Sequence, residues 1–215
     1  MILPRLYPIV DYSCFAAAAD PISAIARFAG DLMAAGAKLI QYRDKSGNIV
    51  RSLSAARELR RITHNRATFI VNDRLDICLA AGADGVHLGQ EDISPQAARQ
   101  VFDGVMGNVP ANPLLIGYST HNLQQVEQAD SLPIDYLAVG PVFATASKAN
   151  PDPVIGLQGV RRARAATAKP LVAIGGITRS TCLQVRDAGA DAVAVISDLL
   201  ESPVKAVEDF LRILG

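Results

Sequence analysis

Hydrophobic runs and polar closures alternate along the chain. Strand-like runs fall at about 6–11, 38–42, 68–72, 84–88, 114–118, 134–139, 170–174 and 191–196. Several are apolar throughout, such as Leu171-Val172-Ala173-Ile174 and Ala192-Val193-Ala194-Val195-Ile196. A run with no polar alternation predicts a strand covered on both faces, as in a parallel sheet. Between the runs, apolar residues recur at helical spacing. Ile22, Ile25, Phe28, Ala29, Leu32 and Met33 form one stripe that stops at Gly36. Leu53, Ala56, Leu59, Arg60 and Ile62 form a weaker one. Ser94-Pro95 is a cap followed by proline in the first turn, and Pro203 opens the last helix. The stretch from Ser180 to Ala188 reads as a helix ending at Gly189. The junctions Ala35-Gly36-Ala37, Ala81-Gly82-Ala83-Asp84 and Ala188-Gly189-Ala190-Asp191 repeat, with glycine suited to a left-handed helix exit.

Eight strand-helix units in 215 residues predict an α/β fold, a single (β/α)8 TIM barrel spanning 1–215. An open doubly wound sheet is the alternative, and the even spacing favours closure. No linker is visible. The irregular stretch from Ala146 to Ile155, with Pro151 and Pro153, reads as a loop over one rim.

Composition narrows the partners. Half the residues are hydrophobic and only 5% aromatic, so the core rests on Ala, Val, Ile and Leu. Twenty-one basic residues balance 21 acidic ones, which argues against nucleic-acid or membrane partners and makes any anion site local. Cys14, Cys78 and Cys182 show no metal or disulfide spacing, as suits a reducing compartment. There is no signal-type segment at the N-terminus and no apolar run near the length of a membrane span. A cytoplasmic protein is expected, and a homodimer is left open.

The polar residues that close the apolar runs carry the chemistry. In a repeating β/α chain the C-terminal ends of the strands share one rim, so Gln41-Tyr42-Arg43-Asp44-Lys45, Asn72-Asp73, Gln90-Glu91-Asp92, Ser119-Thr120-His121 and Thr145-Ala146-Ser147-Lys148 should converge there. Gln41, Arg43 and Lys45 share one parity, while Tyr42 and Asp44 point the other way, which makes Asp44 structural. Arg43, Lys45 and Lys148 suit phosphate as a fork and two point charges. Asp73 and Asp92, after adjacent strands, suit Mg2+ with waters and phosphate oxygens, although each could instead cap a local turn. Gly175-Gly176, followed by the unit ending Ile196-Ser197, matches the phosphate site common after strands seven and eight of such barrels. His87 reads as a satisfied packing histidine and His64 as solvated. No Ser-His-Asp order, zinc motif or dinucleotide fingerprint is present.

These pieces, with Ala83-Asp-Gly-Val-His-Leu-Gly-Gln-Glu-Asp92, Gly117-Tyr-Ser-Thr-His121, Val139-Gly-Pro-Val-Phe-Ala-Thr-Ala-Ser-Lys148 and Ala173-Ile-Gly-Gly-Ile177, make the sequence resemble the thiamine-phosphate synthase family over nearly its whole length. The resemblance implies a transferase of thiamine biosynthesis that joins 4-amino-2-methyl-5-pyrimidinylmethyl diphosphate to a thiazole phosphate, releasing diphosphate. It implies Mg2+ on Asp73 and Asp92, and the diphosphate on Arg43, Lys45, Asn72 and Lys148. Gln41 and Ser119 would lie near the pyrimidine and the reaction centre. Thr145, Ser147, Gly176, Ile196 and Ser197 would lie on the thiazole-phosphate side. Ser119, Lys148 and Arg43 are the residues expected to act on the reaction itself. Tyr42, where the family usually has an aliphatic residue, and Ala146-Ser147 depart from the pattern. A thiazole tautomerase or a non-catalytic phosphate-ligand sensor on the same barrel are the alternatives. The intact metal and diphosphate set favours the synthase.

Overall fold

The structure is a computed structural model that describes residues 3–106, 113–145 and 152–215. Eight parallel strands close in sequence order: β1 (Leu6–Asp11), β2 (Leu39–Arg43), β3 (Thr68–Asn72), β4 (Gly85–Leu88), β5 (Leu115–Thr120), β6 (Tyr136–Val139), β7 (Leu171–Ile174) and β8 (Ala192–Val195). Pairing of Leu6, Tyr7 and Pro8 with Val193, Ala194 and Val195 joins the first strand to the last and excludes the open sheet. Helices α1 (Pro21–Ala34), α2 (Ile49–Thr63), α3 (Leu75–Ala81), α4 (Pro95–Met106), α5 (Leu123–Asp130), α6 (Gly156–Ala166), α7 (Cys182–Asp187) and α8 (Pro203–Leu214) follow the strands in turn. No helix among the described residues is long and apolar enough to cross a membrane.

Each strand divides its side chains between two cores. Outward residues such as Val10, Ile40, Phe69, Val71, Val86 and Val193 pack under the helices. Inward residues form a second cluster of Leu3, Tyr7, Ile9, Leu39, Ile70, Tyr136, Ala138, Val172, Ala192 and Ala194. Toward the C-terminal ends of β6 and β8 the inward residues shrink to Ala138 and Ala194, and both line a cavity inside that end of the barrel.

Several boundaries differ from the sequence reading, for physical reasons. Arg43, Ser119 and Thr120 lie inside β2 and β5 rather than beyond them, because the ladders to neighbouring strands continue through polar positions. The buried stripe of α2 is Ser52, Ala55, Ala56, Leu59 and Thr63, so Leu53 and Ile62 sit at its edges. Small residues win the buried face because α2 packs closely against both α1 and α3. The α7 helix is only Cys182–Asp187, since Thr178 to Thr181 are held in a hydrogen-bonded turn.

The repeated Asp before a strand has a cause beyond the glycine exit. Asp84 accepts the Phe69 N–H at 2.8 Å and both oxygens receive Arg60 of α2. Asp135 accepts the Ile116 N–H at 2.7 Å and receives Arg99 of α4. Asp191 accepts the Leu171 N–H at 2.8 Å and receives Arg164 of α6. Each carboxylate thus ties a helix to the entry of the strand before its own, at the barrel end opposite the predicted site. Asp135→Ala should cost about 2 kcal/mol, since a charge-assisted bond is lost and the Ile116 N–H loses its acceptor. Urea unfolding checks this: the midpoint falls at unchanged slope, and Asp135→Asn, which keeps an acceptor oxygen, loses less. An Asp135→Ala midpoint equal to the parent's would remove the staple from the account.

Candidate functional site

At the C-terminal end of the strands the inward parity switches from apolar to polar. Ile9 gives way to Asp11 on β1, Leu39 to Gln41 and Arg43 on β2, Ile70 to Asn72 on β3 and Leu115 to Ser119 on β5. A single cavity is lined by Gln41, Arg43, Asn72, Ser119, Thr145, Gly176, Ile196 and Ser197, all expected from the sequence. Its floor is apolar, with Ile9, Ala138, Val172, Ile174 and Ala194. Lys45, Asp73 and Asp92 stand at its rim rather than in its lining. Ser147 and Lys148 lie outside the described residues.

A buried hydrogen-bond chain crosses the barrel under this cavity. Gln41 Nε2 donates to Tyr7 Oη at 2.9 Å, and Tyr7 Oη is 2.6 Å from Tyr136 Oη. Tyr136 Oη is 3.1 Å from His87 Nδ1, and His87 Nε2 is 2.8 Å from Ser119 Oγ. The His87 ring stacks on Tyr136 with centroids 5.5 Å apart. Gly117 makes this possible: it pairs with His87 on one side and Tyr136 on the other. A Cβ there would fall 2.1 Å from Tyr136 Cζ and 2.4 Å from His87 Nδ1. Burial pushes both phenols, Tyr7 and Tyr136, above the ordinary tyrosine range, so each remains a neutral O–H. His87 is a satisfied histidine, as read, but its partner is a site residue.

The cationic wall is anchored. Arg43 pairs with Asp11, a carboxylate only 3% exposed at the end of β1. Asp11 also accepts from Ser13 N and Oγ, at 2.9 and 2.7 Å. Arg43 is thereby fixed at the cavity wall with the rest of its fork available. Asp44 is structural, as expected: it accepts from Ser46 N at 2.8 Å and Ser52 Oγ at 2.6 Å and contacts the Tyr42 hydroxyl. The departing residue, Tyr42, is buried on the outward face and helps hold the loop that carries Lys45.

Asp73 is no helix cap. The position before α3 is Arg74, which makes no side-chain cap bond. Asp73 N instead donates to His87 O at 2.7 Å, and its φ of 61° turns the chain left-handed there, a conformation Asp tolerates better than most residues. Its carboxylate is 2.5 Å from Lys45 Nζ. Burial pushes the Asp73 carboxyl upward, Lys45 opposes this, and the neighbouring Asp92 carboxylate adds to it. Asp92 accepts the Gly89 N–H at 2.7 Å with one oxygen, so it does serve its own turn. Its other oxygen is not committed to that bond. Among the described residues no three His, Cys, Asp or Glu side chains gather to enclose a metal ion. Two adjacent carboxylates that repel one another, completed by water and ligand oxygens, are a donor set that suits Mg2+.

On the opposite side, Gly175 and Gly176 have φ of 103° and 62°. A Cβ on Gly176 would meet Ala144 O at 2.4 Å, so the turn and the Thr145 segment require glycine there. Phe143 N donates to Gly175 O at 2.9 Å and Val142 N to Ile174 O at 2.8 Å, which lays the segment leading to Thr145 along the β7 loop. Asp198 accepts from Arg179 N at 2.8 Å and Nε at 3.1 Å, tying the loop after β7 to the one after β8. Gly176 and Ser197 are thus presented together from two clamped loops.

Sequence reasoning missed Asp11, Tyr7 and Tyr136. Asp11 obeys the same rule as the others, a polar residue closing an apolar run, and that rule could have found it. Tyr7 and Tyr136 sit inside or at the start of runs that read as core. Their scarcity was the available signal, since the chain has five tyrosines.

Residues 6–199 match the family model described as thiamine monophosphate synthase. The chain is 50% identical over 212 residues to the thiamine-phosphate synthase of Koribacter versatilis, covering 99% of this chain and 96% of that one. It is 46% identical over 180 residues to the thiamine-phosphate synthase of Methanoregula boonei, covering 83% and 78%. Among solved structures, the thiamine phosphate pyrophosphorylase of Pyrococcus furiosus superposes with a TM-score of 0.81 at 30% identity, over 98% of this chain and 95% of that one. Barrel, cavity and similarity agree, and the chain belongs to the thiamine-phosphate synthase family.

Proposed function

We propose that the cavity condenses 4-amino-2-methyl-5-pyrimidinylmethyl diphosphate with a thiazole phosphate, giving thiamine phosphate and diphosphate, with Mg2+ held by Asp73 and Asp92. The observation that carries this reading is the separation of two anion-suited walls by an apolar floor. Arg43 and Lys45 stand beside the two carboxylates on one side, and the Gly176 and Ser197 loops stand on the other. Two phosphorylated substrates would be held with their reacting ends between the walls.

The pyrimidine diphosphate would place its leaving group against Arg43, Lys45, Asn72 and Lys148. When bound, Mg2+ supplies charge neutralisation to the departing diphosphate. Cleavage of the C–O bond sends both electrons to diphosphate and leaves a pyrimidine-stabilised cation at the methylene carbon. Arg43, fixed by Asp11, meets the growing negative charge with little reorganisation. The thiazole nitrogen then donates its lone pair to the methylene carbon, forming the new C–N bond. Gln41 and Ser119 would orient the pyrimidine. Thr145, Ser147, Gly176, Ile196 and Ser197 would hold the thiazole phosphate. No covalent enzyme intermediate is required. The tautomerase and sensor readings are less well supported, because neither calls for paired carboxylates beside the cations.

The direct test mixes both substrates with Mg2+ and follows thiamine phosphate. The parent protein should form it, chelation should stop it, and Asp92→Ala should lower turnover at least a hundredfold, about 2.7 kcal/mol of barrier, with the fold retained. Thiazole isomerisation without coupling would favour the tautomerase. Near-normal Asp92→Ala activity at limiting Mg2+ would leave Asp92 as a turn residue alone.

A comparison of variants tests the division of the cavity. Charge rises on the diphosphate during bond breaking, whereas the thiazole phosphate does not react. Lys148→Ala should therefore reduce the coupling rate far more than it weakens thiazole-phosphate binding, and Ser197→Ala should chiefly weaken thiazole phosphate. Single-turnover rates and separate binding titrations read both. Equal losses for both ligands in Lys148→Ala would contradict the assignment.

A further inference from the structure

The chain of bonds from Gln41 to Ser119 has a direction that its protons dictate. Each phenol has one proton to give. Gln41 Nε2 donates to Tyr7 Oη, so Tyr7 already accepts there. Among the described residues, its own proton has the Tyr136 oxygen as its acceptor at 2.6 Å. Tyr136, accepting from Tyr7, gives its proton to His87 Nδ1. An accepting Nδ1 places the imidazole proton on Nε2, which donates to Ser119 Oγ at 2.8 Å. Ser119 then keeps its own proton for the cavity, and Gln41 keeps its carbonyl oxygen.

We propose that Tyr7, Tyr136 and His87 form a positioning relay that fixes His87 as the Nε2–H tautomer and makes Ser119 a hydrogen-bond donor to the bound substrate, coupled to the orientation of Gln41 on the facing wall. The five side chains come from five strands, β2, β1, β6, β4 and β5. Tyr7, Gln41, Tyr136 and His87 are all 7% exposed or less, so water does not compete along the chain. Both phenol hydroxyls are engaged within the chain. Their effect is on what the two ends present. Reversing the chain means turning the Gln41 amide over and aiming the Ser119 proton at His87, so the donor and acceptor ends exchange together. The relay rests on the synthase reading only in naming the substrate that Ser119 meets.

Two readouts test it, one of which needs no activity. Nitrogen-15 NMR of the ligand-free protein, with His87 assigned by its loss in His87→Gln, should show a protonated Nε2 and an unprotonated Nδ1. Tyr136→Phe keeps the stacked ring and removes both bonds, and it should move His87 toward mixed tautomers. Coupling assays should show kcat/KM about tenfold lower in Tyr136→Phe, the scale of one hydrogen bond. Because the relay acts through Ser119, losses in Tyr136→Phe and Ser119→Ala should fall short of additive in the double variant. If Tyr136→Phe does not fold, Tyr7→Phe breaks the same chain one step away, with the same expectations. A parent protein with His87 protonated at Nδ1, a tautomer unmoved in the folded variant, or fully additive losses would each overturn the relay. A correct tautomer response in a protein that makes no thiamine phosphate would instead overturn the synthase reading and leave the relay standing.

Discussion

Two-residue alternation in a closed set of parallel strands is the constraint on which the rest of this molecule depends. Once β1 pairs with both β2 and β8, every strand has one face under the helices and one face in the barrel. A polar residue at an inward position near a strand's end then has one destination. Gln41, Asn72, His87 and Ser119 reach the same cavity from four strands without any loop having to carry them. Precision follows from the same source. Strand backbones are held on both sides by ladders, so side chains at their ends are placed more firmly than loop residues.

The site is built by giving functional groups buried partners. Asp11 holds Arg43, and Asp198 holds the Arg179 loop beside Gly176 and Ser197. Tyr7 and Tyr136 hold His87 and Gln41. Asp73 pairs with Lys45 but also faces the Asp92 carboxylate, which together with burial pushes the Asp73 carboxyl up. That contrast distinguishes the metal-suited rim from the pre-satisfied inner wall. The far end of the barrel carries the Asp84, Asp135 and Asp191 staples, so the staples and the cavity occupy opposite ends.

Much of this was legible in the sequence because strand periodicity is local. The continuous apolar runs located all eight strands, and the polar residues closing them supplied Gln41, Arg43, Asn72, Ser119, Gly176 and Ser197. The structural role of Asp44 followed from parity alone. What was not legible depends on contacts between distant strands. Tyr7 and Tyr136 lie 129 positions apart, and nothing local marks either as a hydrogen-bond donor across a barrel. Gly117 read as part of a motif, whereas its necessity comes from the His87 and Tyr136 side chains that flank it. On α2 the expected stripe placed Ala56 and Leu59 correctly, but Ser52, Ala55 and Thr63 rather than Leu53 and Ile62 complete the buried face, where close helix packing favours small side chains.

In the proposed reaction the cavity has two phosphate walls with different partners, one that would be metal-assisted and one formed by clamped loops. A crystal structure of the protein with thiamine phosphate, diphosphate and Mg2+ would distinguish them. The metal should be held by the Asp73 and Asp92 carboxylates on the diphosphate side, with the ester phosphate against Gly176 and Ser197. Diphosphate seated on the Gly176 loop, or a metal bound away from both carboxylates, would contradict it.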